Sequence, residues 1–280
     1  MQKNMLFRTF CFNICAILLA VVYSPFLIIN KNVVEARYCD DFYMNTGTLI
    51  TTTITLDYDY YEVTQSVYTD LSLPAYDFYN QSNNTCAPTA GSIALGYYDF
   101  YFNDLIPNRD SYVLINGVYA PRYEDSTVTS VMGQLYTLMG TNVGGEGTTQ
   151  AGFKNGMQSY IQTQGYSVQY TNMGSGTTML SNCQTAFANN KACVLFLNSY
   201  QYVSYGAMII NDTNYSMVVK SKVAGHVCIA GGYLEYKFYS GSTVIETDRF
   251  LEISFGNGTT GFLFVNDTTL IDDAYSITIS

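Results

Sequence analysis

The sequence predicts an α+β protein in which helical segments come first and strands follow. Four segments between residues 84 and 190 place apolar side chains at helical spacing, whereas the chain from residue 192 onward consists of short apolar or alternating runs separated by polar turns. A doubly wound sheet would instead alternate strands and helices. The chain has 280 residues, 48% of them hydrophobic and 12% charged, which is enough for one large domain or two small ones with a buried core.

Residues 1–36 are typical of an export signal. A basic start is followed by the almost wholly apolar stretch 10–29, and Ala36 ends a small-residue cleavage site. An uncleaved membrane anchor is the alternative, because about 20 apolar residues span a bilayer. Asn13 and Pro25 within the stretch favour cleavage. Both alternatives export the rest of the chain, so we expect a secreted or cell-surface protein whose only membrane contact is this segment, if it stays uncleaved.

Residues 37–72 form a leader rich in Tyr and Thr ahead of the main domain, residues 73–280. Alternation between Leu49 and Leu56 favours a strand over a helix. A propeptide, an extra edge hairpin and a flexible spacer all fit this composition.

Charge and histidine content exclude several classes of function. The net charge is −10 and the 12 Lys and Arg residues are spread singly, so no basic stripe exists for nucleic acid. His226 is the one histidine, which excludes metal sites that need two imidazoles. The glycines of 256–261 have dinucleotide-binding spacing, but a strand pattern follows them, which indicates a tight turn. We expect neither a metal nor an organic cofactor.

Four helices are predicted from apolar spacing and from residues that start and stop helices. The first helix starts at Cys86, with Asn84 or Thr85 as its cap. The second has Asp125 or Ser126 as its cap and stops at Gly140. The third and fourth span about Thr149–Gln164 and about Thr178–Ala188.

The strands are predicted from short apolar runs bounded by turn residues. They are Ala192–Leu197, Ala207–Ile210, Tyr215–Val219, His226–Phe238, Val244–Ser254, Gly261–Val265 and Ala274–Ile279.

Cys86 is the candidate nucleophile because a thiol at a helix N-terminus feels the positive end of the helix dipole, which lowers the thiol pKa. His226 begins an apolar strand much later in the chain and can accept and return a proton. An odd number of cysteines remains after the signal, so at least one thiol stays unpaired. These cysteines are Cys39, Cys86, Cys183, Cys193 and Cys228.

Three patches are similar to C39-like peptidases of the papain superfamily. The first is the helix start Cys-Ala-Pro-Thr-Ala at residues 86–90, with Tyr-Asn-Gln shortly before it. The second is the strand over residues 225–233, which begins with Gly-His-Val and ends in Gly-Gly-Tyr. The third is Phe-Gly-Asn-Gly at residues 255–258. The last patch also resembles streptopain-like peptidases. The resemblance covers residues 73–280 in layout and only these patches in identity.

The resemblance implies a papain-like fold, in which a helical part carrying the cysteine packs on a C-terminal antiparallel sheet. It implies that Cys86 is the nucleophile, that His226 is the general base and acid, and that Gln81 donates to the oxyanion. The family's Asn that orients the imidazole is not matched directly. Asn257 is the favoured candidate, and Ser254 and a backbone carbonyl are the alternatives.

The predicted function is therefore that of a secreted cysteine peptidase, which hydrolyses a peptide or protein substrate through an acyl-enzyme on Cys86. A papain-fold amidase or a transglutaminase-type acyl transferase would use the same residues. A non-catalytic secreted surface module is the alternative from another class, because the chain is rich in Tyr, Thr and Asn and lacks a clear Asn orienter.

Overall fold

A computed structural model describes residues 49–55, 62–81, 84–145, 147–198, 200–204, 216–222, 225–240, 242–266 and 268–280. The predicted export signal, residues 1–36, and the predicted strand Ala207–Ile210 lie outside the described residues. None of the described helices has the length and apolar character that crossing a membrane requires.

Four α-helices form where the sequence predicts them. They are α1 (Cys86–Tyr98), α2 (Ser126–Leu138), α3 (Gln150–Thr163) and α4 (Gly176–Ala188). The Asp125 carboxylate accepts the backbone N–H groups of Thr127 and Val128, and the Thr149 hydroxyl accepts that of Gly152. These local bonds satisfy donors that the first helical turn leaves without partners, which is why the predicted starts of α2 and α3 are accurate.

The strands form one large antiparallel sheet and a separate hairpin. The strands are β1 (Leu49–Thr55), β2 (Glu62–Asp70), β3 (Tyr112–Ile115), β4 (Val118–Pro121), β5 (Val168–Asn172), β6 (Cys193–Leu197), β7 (Tyr200–Ser204), β8 (Ser216–Lys222), β9 (His226–Ser240), β10 (Thr243–Ser254), β11 (Thr260–Phe264) and β12 (Ile271–Ile279). Within the described ranges the sheet order is β1-β8-β7-β11-β10-β9-β6-β12-β5, and β2 also pairs with β9. The α+β prediction is confirmed.

Five of these strands are absent from the sequence prediction: β2, β3, β4, β5 and β7. The sequence does contain a local indication of the β3–β4 hairpin, the Asn-Gly pair at residues 116–117 that links its strands. Both residues have positive φ, 49° and 82°. The short strands β5 and β7 have no comparable local signal.

The strand β9 is the centre of the sheet. Its first five residues pair with β6, its later part pairs with β2, and β10 lies along its other edge. The described part of the leader therefore belongs to the same sheet as the main domain. At the junction the Leu71 N–H donates to the Gly231 carbonyl at 3.0 Å. Removal of residues 37–72 as a propeptide stays a prediction.

The two faces of the sheet bury two separate cores. On one face, Val227 and Ile229 of β9 pack in a core with α1, α2 and α3. On the other face, Cys228 and Ala230 pack in a core with α4. The alternation follows from the strand geometry, because successive side chains point to opposite faces.

Tyr76 fixes the segment that precedes α1. The Arg109 guanidinium donates to the Tyr76 hydroxyl at 3.0 Å and to the Asp125 carboxylate at 2.8 Å. The Tyr76 hydroxyl lies against the helix backbone at Gly96, where a Cβ atom would collide with it. Burial raises the pKa of the Tyr76 phenol to about 12, so the hydroxyl keeps its proton.

We predict that Gly96→Ala destabilises the protein more than Gly91→Ala does. Both changes lie inside α1 and gain similar helix propensity, about 1 kcal/mol. A Cβ atom at Gly91 would meet flexible ends, the nearest being Met139 Cε and Met157 Sδ at 2.9 Å, whereas one at Gly96 displaces the hydrogen-bonded Tyr76. Overpacking of a fixed neighbour costs about 1–3 kcal/mol. Urea unfolding of both variants measures the difference, and equal losses would contradict this role of Tyr76.

Candidate active site

The Cys86 thiol lies at the first residue of α1. Thr85 occupies the cap position, one of the two predicted, although its side chain makes no capping hydrogen bond. Its carbonyl instead accepts the N–H of Thr89 at 3.2 Å and the Thr89 hydroxyl at 2.9 Å. The backbone N–H groups of Cys86 and Ala87 act on the thiol in the direction of a lower pKa. The N–H groups of the first helical turn thus favour the thiolate.

The start of β9 lies near the same sulfur. Cys86 packs against the core that contains Val227, and the Val227 N–H acts on the Cys86 thiol in the direction of a lower pKa. Val227 directly follows His226. The fold thus brings the first turn of α1 to the end of β9 that begins with His226, although the two segments are far apart in the sequence.

The His226 imidazole is buried, with 5% of the residue exposed. Its Nε2 lies 3.2 Å from the carbonyl oxygen of Phe255. Because a carbonyl oxygen only accepts, we assign the proton to Nε2, which leaves the lone pair of the neutral ring on Nδ1. The ring of Phe78 packs edge-on against the imidazole, with ring centroids 6.4 Å apart. The ring therefore has a fixed orientation and a nitrogen that can accept a proton.

The turn after β10 holds the Phe255 carbonyl in place. The Ser254 hydroxyl donates to the Pro74 carbonyl at 2.9 Å, and the Gly258 N–H donates to the Tyr76 carbonyl at 2.9 Å. Gly256 has φ +82°, a conformation that glycine adopts without strain. Both ends of the turn are thus attached to the segment that precedes α1.

Asn257 makes its hydrogen bonds within this turn rather than to the imidazole. Its Oδ1 accepts the Thr259 hydroxyl at 2.7 Å and the Thr259 N–H at 3.3 Å. The sequence favoured Asn257 as the residue that orients His226. The geometry instead favours one of the alternatives, a backbone carbonyl, which is that of Phe255. Ser254 is directed at Pro74. No sequence motif identifies a carbonyl oxygen, because every residue has one.

Gln81 is the last residue of the 3₁₀ turn Tyr79–Gln81, which precedes α1. The Tyr79 N–H donates to the Thr89 hydroxyl at 3.2 Å, so the turn is attached to the first turn of α1. The side chain of Gln81 lies outside what the structure describes. Its role as an oxyanion donor stays a prediction.

The electrostatics of Cys86 differ from the sequence expectation. Burial raises the pKa of the Cys86 thiol, although hydrogen bonds from Val227, Ala87 and its own N–H lower it in part. The sequence argument relied on the helix dipole, which lowers the thiol pKa. Burial prevails over the backbone N–H groups, so the pKa lies above its ordinary value and the thiol keeps its proton at neutral pH. A base must remove this proton before the sulfur can attack.

The other described cysteines are structural. Cys183, Cys193 and Cys228 are buried free thiols inside the core under α4. Burial raises the pKa of Cys228, and the neighbouring Cys183 thiol together with burial raises that of Cys193. Cys86 is the partly exposed thiol among the described cysteines. Cys39 lies outside the described residues.

Within the described ranges no three His, Cys, Asp or Glu side chains are grouped so that they could hold a metal ion. No protein-family model matches the chain, and neither the curated proteins nor the solved structures contain a significant match. The functional argument therefore depends on the geometry of the site and on the sequence patches described above.

We expect iodoacetamide to label Cys86 slowly at pH 7 and faster as the pH rises, because only the thiolate reacts. Since the thiol pKa is raised in the folded state, the labelling curve of native protein should lie at higher pH than that of urea-unfolded protein. Peptide mapping by mass spectrometry reports the Cys86 peptide. Rapid labelling near pH 6 that His226→Ala removes would indicate a preformed thiolate–imidazolium pair instead.

Proposed function

We propose that this protein is an exported cysteine peptidase with a papain-like arrangement of its site. The observation that carries the proposal is that Cys86, at the N-terminus of α1, packs against the core that contains Val227, the residue after His226 in β9. In addition, Thr89 in the first turn of α1 lies against Gly256, which directly follows the Phe255 whose carbonyl bonds to His226. The helical part that carries the cysteine packs on an antiparallel sheet, in the order that the family resemblance implies. The localisation depends on the predicted signal in residues 1–36.

The proposed reaction begins with proton transfer from the Cys86 thiol to Nδ1 of His226. The sulfur attacks the substrate carbonyl carbon, and the Cys86 N–H with the Gln81 amide stabilises the negative oxygen that forms. The imidazolium then gives its proton to the leaving amine, which departs and leaves a thioester on Cys86. Water, deprotonated by His226, hydrolyses the thioester and restores both side chains.

The raised pKa of Cys86 favours this general-base route over a resting ion pair. His226 donates Nε2–H to the Phe255 carbonyl, which leaves the lone pair on Nδ1 and stabilises the imidazolium when it forms. A neutral thiol and a neutral imidazole also avoid placing two charges in a buried site.

The same raised pKa favours a second candidate function, a secreted surface module that has the fold but no turnover. A thiol that stays protonated is a weak nucleophile unless a base acts on it. The two candidates differ in whether any amide bond is cleaved in a manner that depends on Cys86.

We predict that Cys86→Ala lowers kcat for peptide hydrolysis by about 10³-fold or more and leaves the thermal midpoint nearly unchanged. Loss of the base in His226→Ala should lower kcat by about 10²–10⁴-fold. Cys183→Ala, another thiol change far from the reaction, should retain activity. Mass spectrometry of peptide digests measures the cleavage. Full activity of Cys86→Ala would overturn the proposal, and inactive wild-type protein on all substrates would favour the surface module.

We predict that Asn257→Ala lowers kcat less than about tenfold, because the Phe255 carbonyl orients the imidazole. Removal of a side chain that orients a catalytic histidine costs about 10⁴-fold in the best-known protease triad. Gly256→Ala should cost more than Asn257→Ala, since its φ of +82° and a Cβ contact of 3.1 Å with Thr89 would shift the turn. Steady-state kinetics measures kcat for both variants, at a temperature at which both are fully folded. A 10⁴-fold loss in Asn257→Ala would assign the orienting role to the side chain.

A further inference from the structure

Two thiols, Cys183 of α4 and Cys193 of β6, lie in the same buried core. Both residues are fully buried, with 0% of their surface exposed. The buried face of α4 consists of Met179, Leu180, Cys183, Ala186 and Phe187. In β6, Cys193 belongs to the core under α4, whereas the next residue, Val194, belongs to the core on the other face of the sheet. Both thiols are therefore directed into the space between α4 and the sheet.

The turn between α4 and β6 brings the two cysteines to the same end of this core. The Lys191 N–H donates to the Ala186 carbonyl at 2.9 Å, which joins the end of the helix to the start of the strand. Cys183 lies about 4.5 Å along the helix from Ala186. Cys193 lies about 6.6 Å along the extended chain from Lys191. The neighbouring Cys183 thiol raises the pKa of Cys193, which agrees with this placement of the two sulfurs.

Cys228 shares the core but is not placed to pair with Cys193. Cys193 lies opposite Ala230 in the register of β6 with β9, and Cys228 lies opposite Leu195. Diagonal neighbours in a sheet are about 7–8 Å apart, whereas Cα atoms joined by a disulfide are usually about 4.4–6.8 Å apart. Among the described cysteines, Cys183 is therefore the partner available to Cys193.

We propose that Cys183 and Cys193 form a disulfide while the chain folds in an oxidising compartment, and that this bond holds the end of α4 on the sheet. Disulfides persist in exported proteins, and the predicted signal in residues 1–36 directs this chain to such a compartment. The bond closes a short loop and stabilises the fold mainly by restricting the unfolded chain. It also removes two thiols that could otherwise pair wrongly with Cys86.

The oxidant is a disulfide of the general form R–S–S–R. The thiolate of one cysteine attacks a sulfur of the oxidant, which forms a mixed disulfide and releases one R–SH. The thiolate of the second cysteine then attacks the protein sulfur of the mixed disulfide, forms the Cys183–Cys193 bond and releases the second R–SH. Two electrons pass from the protein to the oxidant, and the two thiol protons end on the released thiols. Because both thiols are fully buried in the folded protein, the exchange takes place before α4 packs on the sheet.

Refolding in a thiol–disulfide buffer tests the proposal. Full-length protein is unfolded in urea with a reductant, freed of the reductant and refolded with reduced and oxidised glutathione. Remaining thiols are then blocked with iodoacetamide in urea. Trypsin cleaves after Lys191, which separates Cys183 from Cys193, and after Lys222, which separates Cys228 from both. Mass spectrometry without reduction identifies the linked peptides.

We expect a linked pair of peptides that contains Cys183 and Cys193 and comes apart on reduction. The link should persist in Cys228→Ala, a matched control in the same core, and should not form in Cys193→Ala. Refolding with a reductant in place of glutathione should lower the thermal midpoint of wild type and of Cys228→Ala by about 5–10 °C. The midpoint of Cys193→Ala should not depend on the reductant.

Alkylation of both Cys183 and Cys193 after refolding in glutathione would overturn the proposal. A link from either residue to Cys39, Cys86 or Cys228 would overturn it as well, and so would an equal effect of the reductant on the midpoint of Cys193→Ala. The proposal goes beyond the peptidase function and does not depend on it, since Cys86→Ala protein should form the same link. Absence of peptide cleavage by wild-type protein that carries the link overturns the peptidase alone.

Discussion

The packing of α1 against β9 is the constraint on which the rest of the structure depends. Every residue of α1 after Cys86 is buried, and its small residues Ala90 and Ala94 lie in the core that also contains Val227 and Ile229. A helix buried on all sides cannot rotate or slide without opening cavities in a close-packed interior. Its N-terminus is therefore held beside the start of β9, because Cys86 packs against the core that contains Val227. The position of the Cys86 thiol is a consequence of core packing.

A second constraint comes from the turn between β10 and β11. Hydrogen bonds to the Pro74 and Tyr76 carbonyls attach it to the segment before α1, and Asn257 stabilises it from within. A backbone carbonyl held this way has no side-chain rotamers to restrict, so it can orient the His226 imidazole with little loss of entropy. Asn257 and the Phe255 carbonyl are thus close neighbours, of which the first stabilises the turn and the second bonds to His226.

Burial and backbone donors act on Cys86 in opposite directions. The helix start and Val227 favour the thiolate, whereas removal from water favours the thiol and prevails. The balance of these two effects leaves the pKa of the Cys86 thiol above its ordinary value in the folded protein.

The sequence by itself determined the helices, the main strands and the identities of the thiol and the imidazole. Helix caps such as Asp125 and Thr149 act within a few residues, and the hairpin turn at Asn116 and Gly117 was equally local, although our prediction omitted it. Only the tertiary structure decided the strand order, the short strands β5 and β7, the Phe255 carbonyl as partner of His226, and the direction of the Cys86 pKa shift. Each of these depends on groups distant in the chain, because strand pairing, hydrogen bonding to a carbonyl and loss of water are set by which segments the folded core brings together.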